Sequence, residues 1–407
     1  MARTTSERLC RGLVADMRAK GVLSSPRVEA AFLAVSREHF LQEVLADGGL
    51  EAVYRDEAIV TKRNDQGLPL SSSSQPSLMA KMLDLLDVQG GDRVLEVGAG
   101  TGYNAALLAH LTGPSGRVTS IDIDPDLARR ARRSLRVAGT RATIIAGDGR
   151  QGHPPHAPYD RIIATAAADE IPRAWLEQLK EGGRLELPLR LDPERGAIQL
   201  IPVLVRHENQ LRSVGLTWGG FMPLHSGDGG WNAPPSTLSA FRSTDGRHTG
   251  LASLHGQGIS QLSPRVARRL LACLLAEPGT PQRRGLTDLA SNQPPLLLLH
   301  LLLNIPAKRR LSIDQRGRWG VGIVDRRSQS AAIVSLRSPW DTGDKTPERR
   351  ARWRLDAYGG DTAAAQLDEL LTQWQELRHA GHTRLRITAR GRATTLRLTF
   401  SWGEGYD

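Results

Sequence analysis

At 407 residues, with 40% hydrophobic side chains and a formal net charge of +11, the chain has the length for two domains and the composition of a folded protein. Its longest apolar run, 296–303, is broken by His300 and is too short to span a bilayer; the N-terminal stretch lacks the apolar core of a secretory signal; and Cys10 and Cys273 are too distant in sequence to suggest a disulfide framework or a metal-ligand spacing. Buried structural cysteines, a cytoplasmic location and no membrane partner are therefore expected. Scattered arginines (129, 130, 132, 133; 309, 310; 349, 350, 352, 354) have no stripe of aromatics running between them, so solvated helix faces are expected in place of a nucleic-acid platform.

In chain order, 5–20 predicts a helix with Leu9, Leu13, Val14 and Met17 on one face, closed by Gly21. A second helix follows Pro26, which suits a first helical position. A looser stretch to residue 65 carries Tyr54, Asp56 and Glu57. Then comes Leu70-Ser71-Ser72-Ser73-Ser74-Gln75-Pro76, ahead of an apolar helix. Two readings stand for it: a serine cap for that helix, or a hydroxyl-rich loop laid over a ligand.

From 92 to about 190 strands and helices alternate. Strands are predicted at 93–97, 117–122, 142–146, 160–165 and 183–188, and helices at 102–111, 125–137 and 172–179. That alternation implies a doubly wound parallel sheet, which binds ligands beyond the carboxyl ends of its strands. Strands at 198–205 and 213–216 follow. Loops are marked by Gly219-Gly220 and 227–230, and a boundary by Pro234-Pro235. Beyond it, 264–275 reads as a helix, 296–303 as either a helix or a strand, 320–325 and 330–336 as paired strands, and 361–379 as an amphipathic helix. A hairpin around Gly391 closes the chain. The expected division is 1–75, an N-terminal helical and loop segment; 76–234, a Rossmann-like α/β core; and 235–407, an α+β accessory domain.

The chemistry gathers at the strand ends. The first core strand runs into Gly98-Ala99-Gly100-Thr101-Gly102, whose glycines can adopt φ > 0 and let the backbone approach a ligand. Its spacing differs from the dinucleotide fingerprint G-x-G-x-x-G. Asp122, 24 positions after Gly98, ends the second strand, where a carboxylate can accept from vicinal ribose hydroxyls. Glu96 would need partners if buried. Asp148, before Gly149, is placed to accept from an adenine amino group, and Thr165 begins a run of small residues beside the same crevice. A nucleoside with a sulfonium substituent, S-adenosylmethionine (SAM), fits this set. The expected cofactor residues are Glu96, Gly98, Gly100, Gly102, Asp122, Ile123, Asp148, Gly149 and Thr165.

Several methyl-transfer chemistries do not fit. The Asn/Asp-Pro-Pro-aromatic tetrad of amino-directed DNA enzymes is replaced by Thr165-Ala166-Ala167-Ala168, no cysteine nucleophile lies in the core, and no carboxylate cluster suggests a metal. His153 and His156 flank two prolines, and no metal is expected there. What remains is a substrate that is already a nucleophile. A carboxylate, with a pKa of about 4, needs no general base at neutral pH.

Residues from about 28 to 188 resemble the protein-L-isoaspartate O-methyltransferase family. The resemblance is carried by Ser74-Gln75-Pro76, by Val94-Leu95-Glu96-Val97-Gly98-Ala99-Gly100-Thr101-Gly102-Tyr103, by Gly147-Asp148-Gly149, by 157–168 and by 179–185. It implies SAM as cofactor and Ser74 as the active-site hydroxyl, with Ser72, Ser73 and Gln75 at the substrate. Two departures stand out: a longer, serine-rich approach to Ser74, and some two hundred residues after the core. Both, with Gly220-Phe221-Met222-Pro223-Leu224, resemble the variant enzymes that tailor ribosomal peptides (lanthipeptides, lasso peptides, graspetides). That resemblance implies methylation of an Asp side chain in a macrocyclic precursor peptide, leading to succinimide and isoaspartate. The alternatives are repair of L-isoaspartyl damage and, from another class, a nucleic-acid-binding protein with a vestigial cofactor fold.

Overall fold

The computed structural model describes residues 4–65, 67, 69–190, 199–224, 237–244, 247–255, 262–265, 283–286, 294–315, 318–337, 352–380, 384–391 and 395–403. The predicted boundary at Pro234-Pro235, the glycine loop at 227–230, most of the predicted helix 264–275 and Cys273 lie outside them.

The chain divides into two compact units, the first comprising Met1–Arg190, Gln199–Trp231 and Leu385–Ser401. It opens with α1 (Thr5–Ala19), started by a reciprocal cap between Thr4 and Glu7 and burying Cys10, Leu13, Val14 and Met17. The Cys10 thiol is free, and burial pushes its pKa up to about 11, as expected of a structural cysteine. Then come α2 (Pro26–Ala34), with Pro26 in its first turn and Ser25 as cap, a short 3-10 turn at Arg37–Phe40, and α3 (Gln42–Val53).

The stretch expected to be loose up to residue 65 holds the 3-10 turn, α3 and then β1 (Ile59–Arg63), which forms a hairpin with β2 (Pro69–Ser73), paired antiparallel with Ile59 opposite Ser73 and Val60 opposite Ser72. Thus the serine stretch is neither a helix cap nor an irregular loop. Ser71 and Ser73 are buried and Ser72 half-buried, the two-residue alternation of a strand. Next is α4 (Pro76–Leu86).

The central sheet is built from β3 (Arg93–Val97), α5 (Tyr103–Thr112), β4 (Arg117–Asp122), α6 (Pro125–Val137), β5 (Thr143–Ala146) and β6 (Tyr159–Ala164). The two-residue strand β7 (Ile171–Pro172) and α7 (Arg173–Gln178) lead to β8 (Leu179–Glu186), which pairs parallel with β6 and completes the parallel part. The short β9 (Leu189–Arg190) is followed by β10 (Gln199–His207) and β11 (Gln210–Gly219), both antiparallel. The strand order β5-β4-β3-β6-β8-β10-β11 reverses direction between β3 and β6, and the ends of β3, β4 and β6 open onto that switch point. The N-terminal helices are no separate domain. Leu13, Met17, Val28 and Phe32 share one apolar cluster with Tyr103, Leu107 and Ile163.

The second unit is Leu191–Ile198, Asn232–Arg384 and Trp402–Asp407. Its antiparallel sheet contains β12 (Thr237–Thr244), β13 (Arg247–His255), β14 (Arg283–Leu286), β15 (Arg310–Gln315), β16 (Arg318–Asp325), β17 (Ser330–Arg337) and β18 (Arg352–Tyr358), in the order β12-β13-β15-β16-β17-β18-β14. Helix α8 (Pro294–Asn304) settles the ambiguous leucine run: two prolines open it, and its leucines are buried except Leu303, which is half-buried. Helix α9 (Thr362–His379) buries Leu367, Leu371 and Trp374, the last packed with His300 and Trp402. The closing hairpin, β19 (Arg384–Gly391) and β20 (Thr395–Gly403), was expected in the accessory domain. Most of it belongs to the first unit, because β19 pairs with β11 and β20 with β7.

Candidate active site

A pocket opens at the switch point. The glycine loop, Glu96, Asp122, Ile123, Leu127, Gly149 and Thr165 form one wall. Residues 70–74 form another, with Met79 and Met82 behind them and 221–224 across from them.

The cofactor wall is shaped by backbone constraints. Gly98 sits at φ 106°, and a Cβ there would lie 2.5 Å from Thr165 Oγ1. That hydroxyl donates to the Gly98 carbonyl (2.6 Å), which locks the end of β3 to the end of β6. Gly100 (φ 51°) donates its N–H to Asp122 Oδ2 at 2.8 Å, and the Asp124 N–H reaches Oδ1 at 3.0 Å. These two bonds aim a nearly buried carboxylate whose pKa burial raises. Each oxygen keeps acceptor capacity, as two vicinal hydroxyls would require. Gly102, also expected at the cofactor, does not line the pocket. It ends the turn at φ 87°, where a Cβ would stand 3.3 Å from Ala131 on α6, so it permits helix packing.

Glu96 is fully buried and has the partners its burial demands: Asn104 Nδ2 donates at 2.8 Å and Ser120 Oγ at 2.5 Å. Burial still pushes its pKa up to about 7, and the neighbouring Asp122 adds to the shift. Asp148 differs from expectation. Its carboxylate caps its own turn, accepting from the Arg150 N–H, and is gripped by the Arg150 guanidinium at 2.6–3.1 Å. It is absent from the pocket lining and instead presents Gly149, which is there. Arg150, two residues on, is the competitor that the strand-end pattern does not reveal.

On the facing wall Ser72 and Ser74 are half-buried, while Ser73 turns its hydroxyl inward to Arg37. Gln75 is exposed, bonded to the Asp56 carbonyl, and off the pocket. Segment 221–224 is fastened from two sides. Gln199 bonds the N–H and carbonyl of Phe221, and Ala167 exchanges hydrogen bonds with Met222 and Leu224. Sequence reasoning gave Asp56 no role and missed Arg37, Asn104 and Lys62. Of these, Lys62 on β1 reaches Asp124 Oδ2 (2.5 Å) and Asp126 Oδ2 (3.3 Å) at the start of α6. Among the described residues no cluster suited to a metal ion occurs, and no helix is long and apolar enough to cross a membrane. Arginines singled out by charge are engaged internally: Arg129 with Asp126, Arg130 with Glu43 and Arg309 with Asp325.

A glycine loop, a ribose-competent Asp at the second strand end and a switch-point pocket define a nucleoside-binding α/β methyltransferase. The protein-L-isoaspartate(D-aspartate) O-methyltransferase family model matches residues 8–227. The protein-L-isoaspartate O-methyltransferase of Ignicoccus hospitalis is 40% identical over 187 residues, 45% of this chain and 82% of that one. Its counterpart in Methanopyrus kandleri is 38% identical over 229 residues, 55% and 94% of the two chains. A solved protein-L-isoaspartate O-methyltransferase aligns over 96% of this chain and 99% of its own, with a TM-score of 0.52 at 23% identity, a likeness of fold that includes the second unit. The chain belongs to the protein-L-isoaspartate(D-aspartate) O-methyltransferase family and is a SAM-dependent carboxyl O-methyltransferase.

Proposed function

We propose that the chain methylates the free carboxylate of an L-isoaspartyl residue presented by a peptide or protein, the substrate named for its relatives. One observation carries this. Among the described residues lining the pocket there is no His, Lys, Arg or Cys, and its two carboxyl groups, Glu96 and Asp122, both lie on the cofactor wall. A substrate needing deprotonation would find no base on the serine side; a carboxylate needs none. SAM supplies an electrophilic methyl group on a positively charged sulfur. Glu96, Gly98, Gly100, Asp122, Ile123, Gly149 and Thr165 would hold it, with Gly102 and Asp148 shaping the turns that present them. Ser74 would donate a hydrogen bond to one carboxylate oxygen and align the other for attack, and segment 221–224 would help exclude water. Ser72 would contact the substrate directly, whereas Ser73 and Gln75 would support the strand.

A second reading is methylation of an Asp side chain in a macrocyclic ribosomal peptide, followed by succinimide and isoaspartate formation. The serine run 71–74 favours it. The C-terminal unit does not single it out, because a solved isoaspartate enzyme aligns over nearly the whole chain. The test is methyl incorporation into matched peptides: linear isoaspartyl, linear aspartyl and cyclic aspartyl. Preferential turnover of the linear isoaspartyl peptide supports the first reading. Turnover confined to the cyclic aspartyl peptide overturns it in favour of the second.

A further inference from the structure

The strand that carries the serines does not hold its own shape. A two-stranded hairpin is marginal in isolation, and the β1–β2 register shifts beyond Val60. Ser74 is the first residue past β2, so its place must be fixed from elsewhere.

Two side chains from the preceding segment do this. Arg37 is fully buried in the 3-10 turn after α2. Its Nη1 donates to the carbonyls of Val53 (2.9 Å) and Arg55 (3.0 Å). Its Nη2 donates to Ser73 Oγ (3.4 Å) and the Ser74 carbonyl (3.2 Å). The guanidinium also stands 5.8 Å from the ring centre of Tyr103, the residue that follows the glycine loop and lines the pocket. Arg37 therefore touches both walls. On the other side of Ser74, Asp56 accepts from the Ser77 N–H (2.9 Å), the Ser77 hydroxyl (2.6 Å) and Lys20 (2.7 Å), while its own carbonyl accepts from Gln75 (3.1 Å). The chain is gripped immediately before and after the serine expected to meet substrate.

Nothing in simple packing explains the choice of Arg37. A buried guanidinium held by neutral acceptors is costly, and among the described residues it forms no ion pair. Burial lowers its pKa, and among the described residues its Nε has no partner. Such a cost is retained where a fixed geometry is needed.

We infer that Arg37 and Asp56 are positioning residues that set Ser74 against the cofactor wall, acting on the rate of methyl transfer and not on cofactor affinity. The inference rests on the reading of Ser74 under the proposed function. The test uses the full chain with Arg37→Met, Arg37→Lys and Asp56→Asn. Isoaspartyl-peptide turnover, SAM affinity, thermal unfolding and amide hydrogen exchange over 71–77 and 98–103 are measured for each. Arg37→Met is expected to lower kcat by about 10- to 100-fold, the scale of a small misplacement of reacting groups. SAM affinity should stay unchanged, with faster exchange over 71–77 and none of that acceleration over 98–103. Arg37→Lys should recover part of kcat, since an ammonium can still reach the Ser74 carbonyl. A folded Arg37→Met with normal kcat, or loss of kcat in step with SAM affinity, overturns the inference. If Arg37→Met does not fold, Asp56→Asn decides by the same readings. Exchange is read without substrate: a wild type inert on isoaspartyl peptide sinks the proposed function alone, whereas unaltered exchange over 71–77 in the folded variants sinks the positioning role.

Discussion

The two walls of the pocket are built by opposite strategies. The cofactor wall is made from strand ends of a parallel sheet. Its key contacts, Gly100 to Asp122 and Thr165 to Gly98, are imposed by neighbouring strands that must pair anyway. The serine wall is a hairpin whose position depends on single side chains reaching from far along the chain, such as Arg37 to Ser74. One wall inherits its geometry from the fold, while the other has it supplied by a few buried polar groups. Changes on the first should therefore act on cofactor binding, and changes on the second on turnover.

The largest expected effect that could break this contrast is at Asp122. Asp122→Ala removes an acceptor aimed by two backbone N–H groups. Hydrogen bonds to a charged group contribute about 1.5–3 kcal/mol each, so KM for SAM should rise about 100-fold. At saturating SAM, kcat should stay within a few-fold of wild type. A normal KM would remove Asp122 from the cofactor wall.

Ser74→Ala is the complementary change. Loss of one hydroxyl bond to a carboxylate should lower kcat by about 10- to 100-fold, with KM for SAM unchanged. If KM for SAM rose in parallel, the two walls would not be separable in function.

The same contrast explains what could be read beforehand. The parallel sheet was legible from alternating strands and helices, and the place of Asp122 at the second strand end, on the pocket, from the 24-residue interval after Gly98. Both are local patterns that the sheet turns directly into contacts. Asp148 shows where such a pattern fails: a strand-end acid was recognised, but its neighbour Arg150 claims the carboxylate. Neither reading of the serine run, helix cap or loop over a ligand, includes a strand, because serine has little strand preference and the alternation of buried and half-buried hydroxyls has meaning only against β1. Arg37 carried no signal, since its acceptors lie 16 to 37 residues away. The closing hairpin was recognised as strands, but not its return to the first sheet, because pairing partners on β11 and β7 leave no periodic trace.

A carboxyl group outside both walls gives a smaller effect and sharpens what partnering means. Glu186 on β8 lies across Ile163 from Glu96 in the sheet register, is equally buried, and among the described residues has no hydrogen-bond partner on either oxygen. Burial raises the pKa of both acids, that of Glu186 well above the usual range and that of Glu96 to about 7. A folded-state pKa above the unfolded value means the folded state holds the proton more tightly. Stability is then complete below about pH 4.5 and declines as pH rises toward the folded pKa. Replacing Glu186 with Met should thus raise stability by about 1–3 kcal/mol at pH 8, and by less at pH 5. Glu96→Gln should gain less, because Asn104 and Ser120 already compensate its burial. Thermal unfolding at the two pH values checks this; a Glu186→Met gain independent of pH would mean that the charged form is not what burial penalises.

The smallest expected effect probes the place where the walls meet. Lys62 leaves the serine hairpin to pair with Asp124 and Asp126 at the start of the helix that follows Asp122. Asp124 also caps that helix, through the N–H groups of Asp126 and Leu127, so the hairpin is tied to an element whose start is already fixed. All three side chains are partly solvated, and such pairs contribute only about 0–1 kcal/mol. Lys62→Ala should accordingly raise KM for SAM no more than about five-fold at low ionic strength. The difference should shrink in high salt, with kcat unaltered. The bond to Asp124 raises the Lys62 pKa. The contribution is therefore complete below its ordinary range and lost only as pH climbs through the raised value, so the effect should be flat between pH 6 and about pH 9. A kcat loss in Lys62→Ala that persists in high salt would assign this lysine to the same task as Arg37, and the cofactor wall would then no longer be independent of the serine strand.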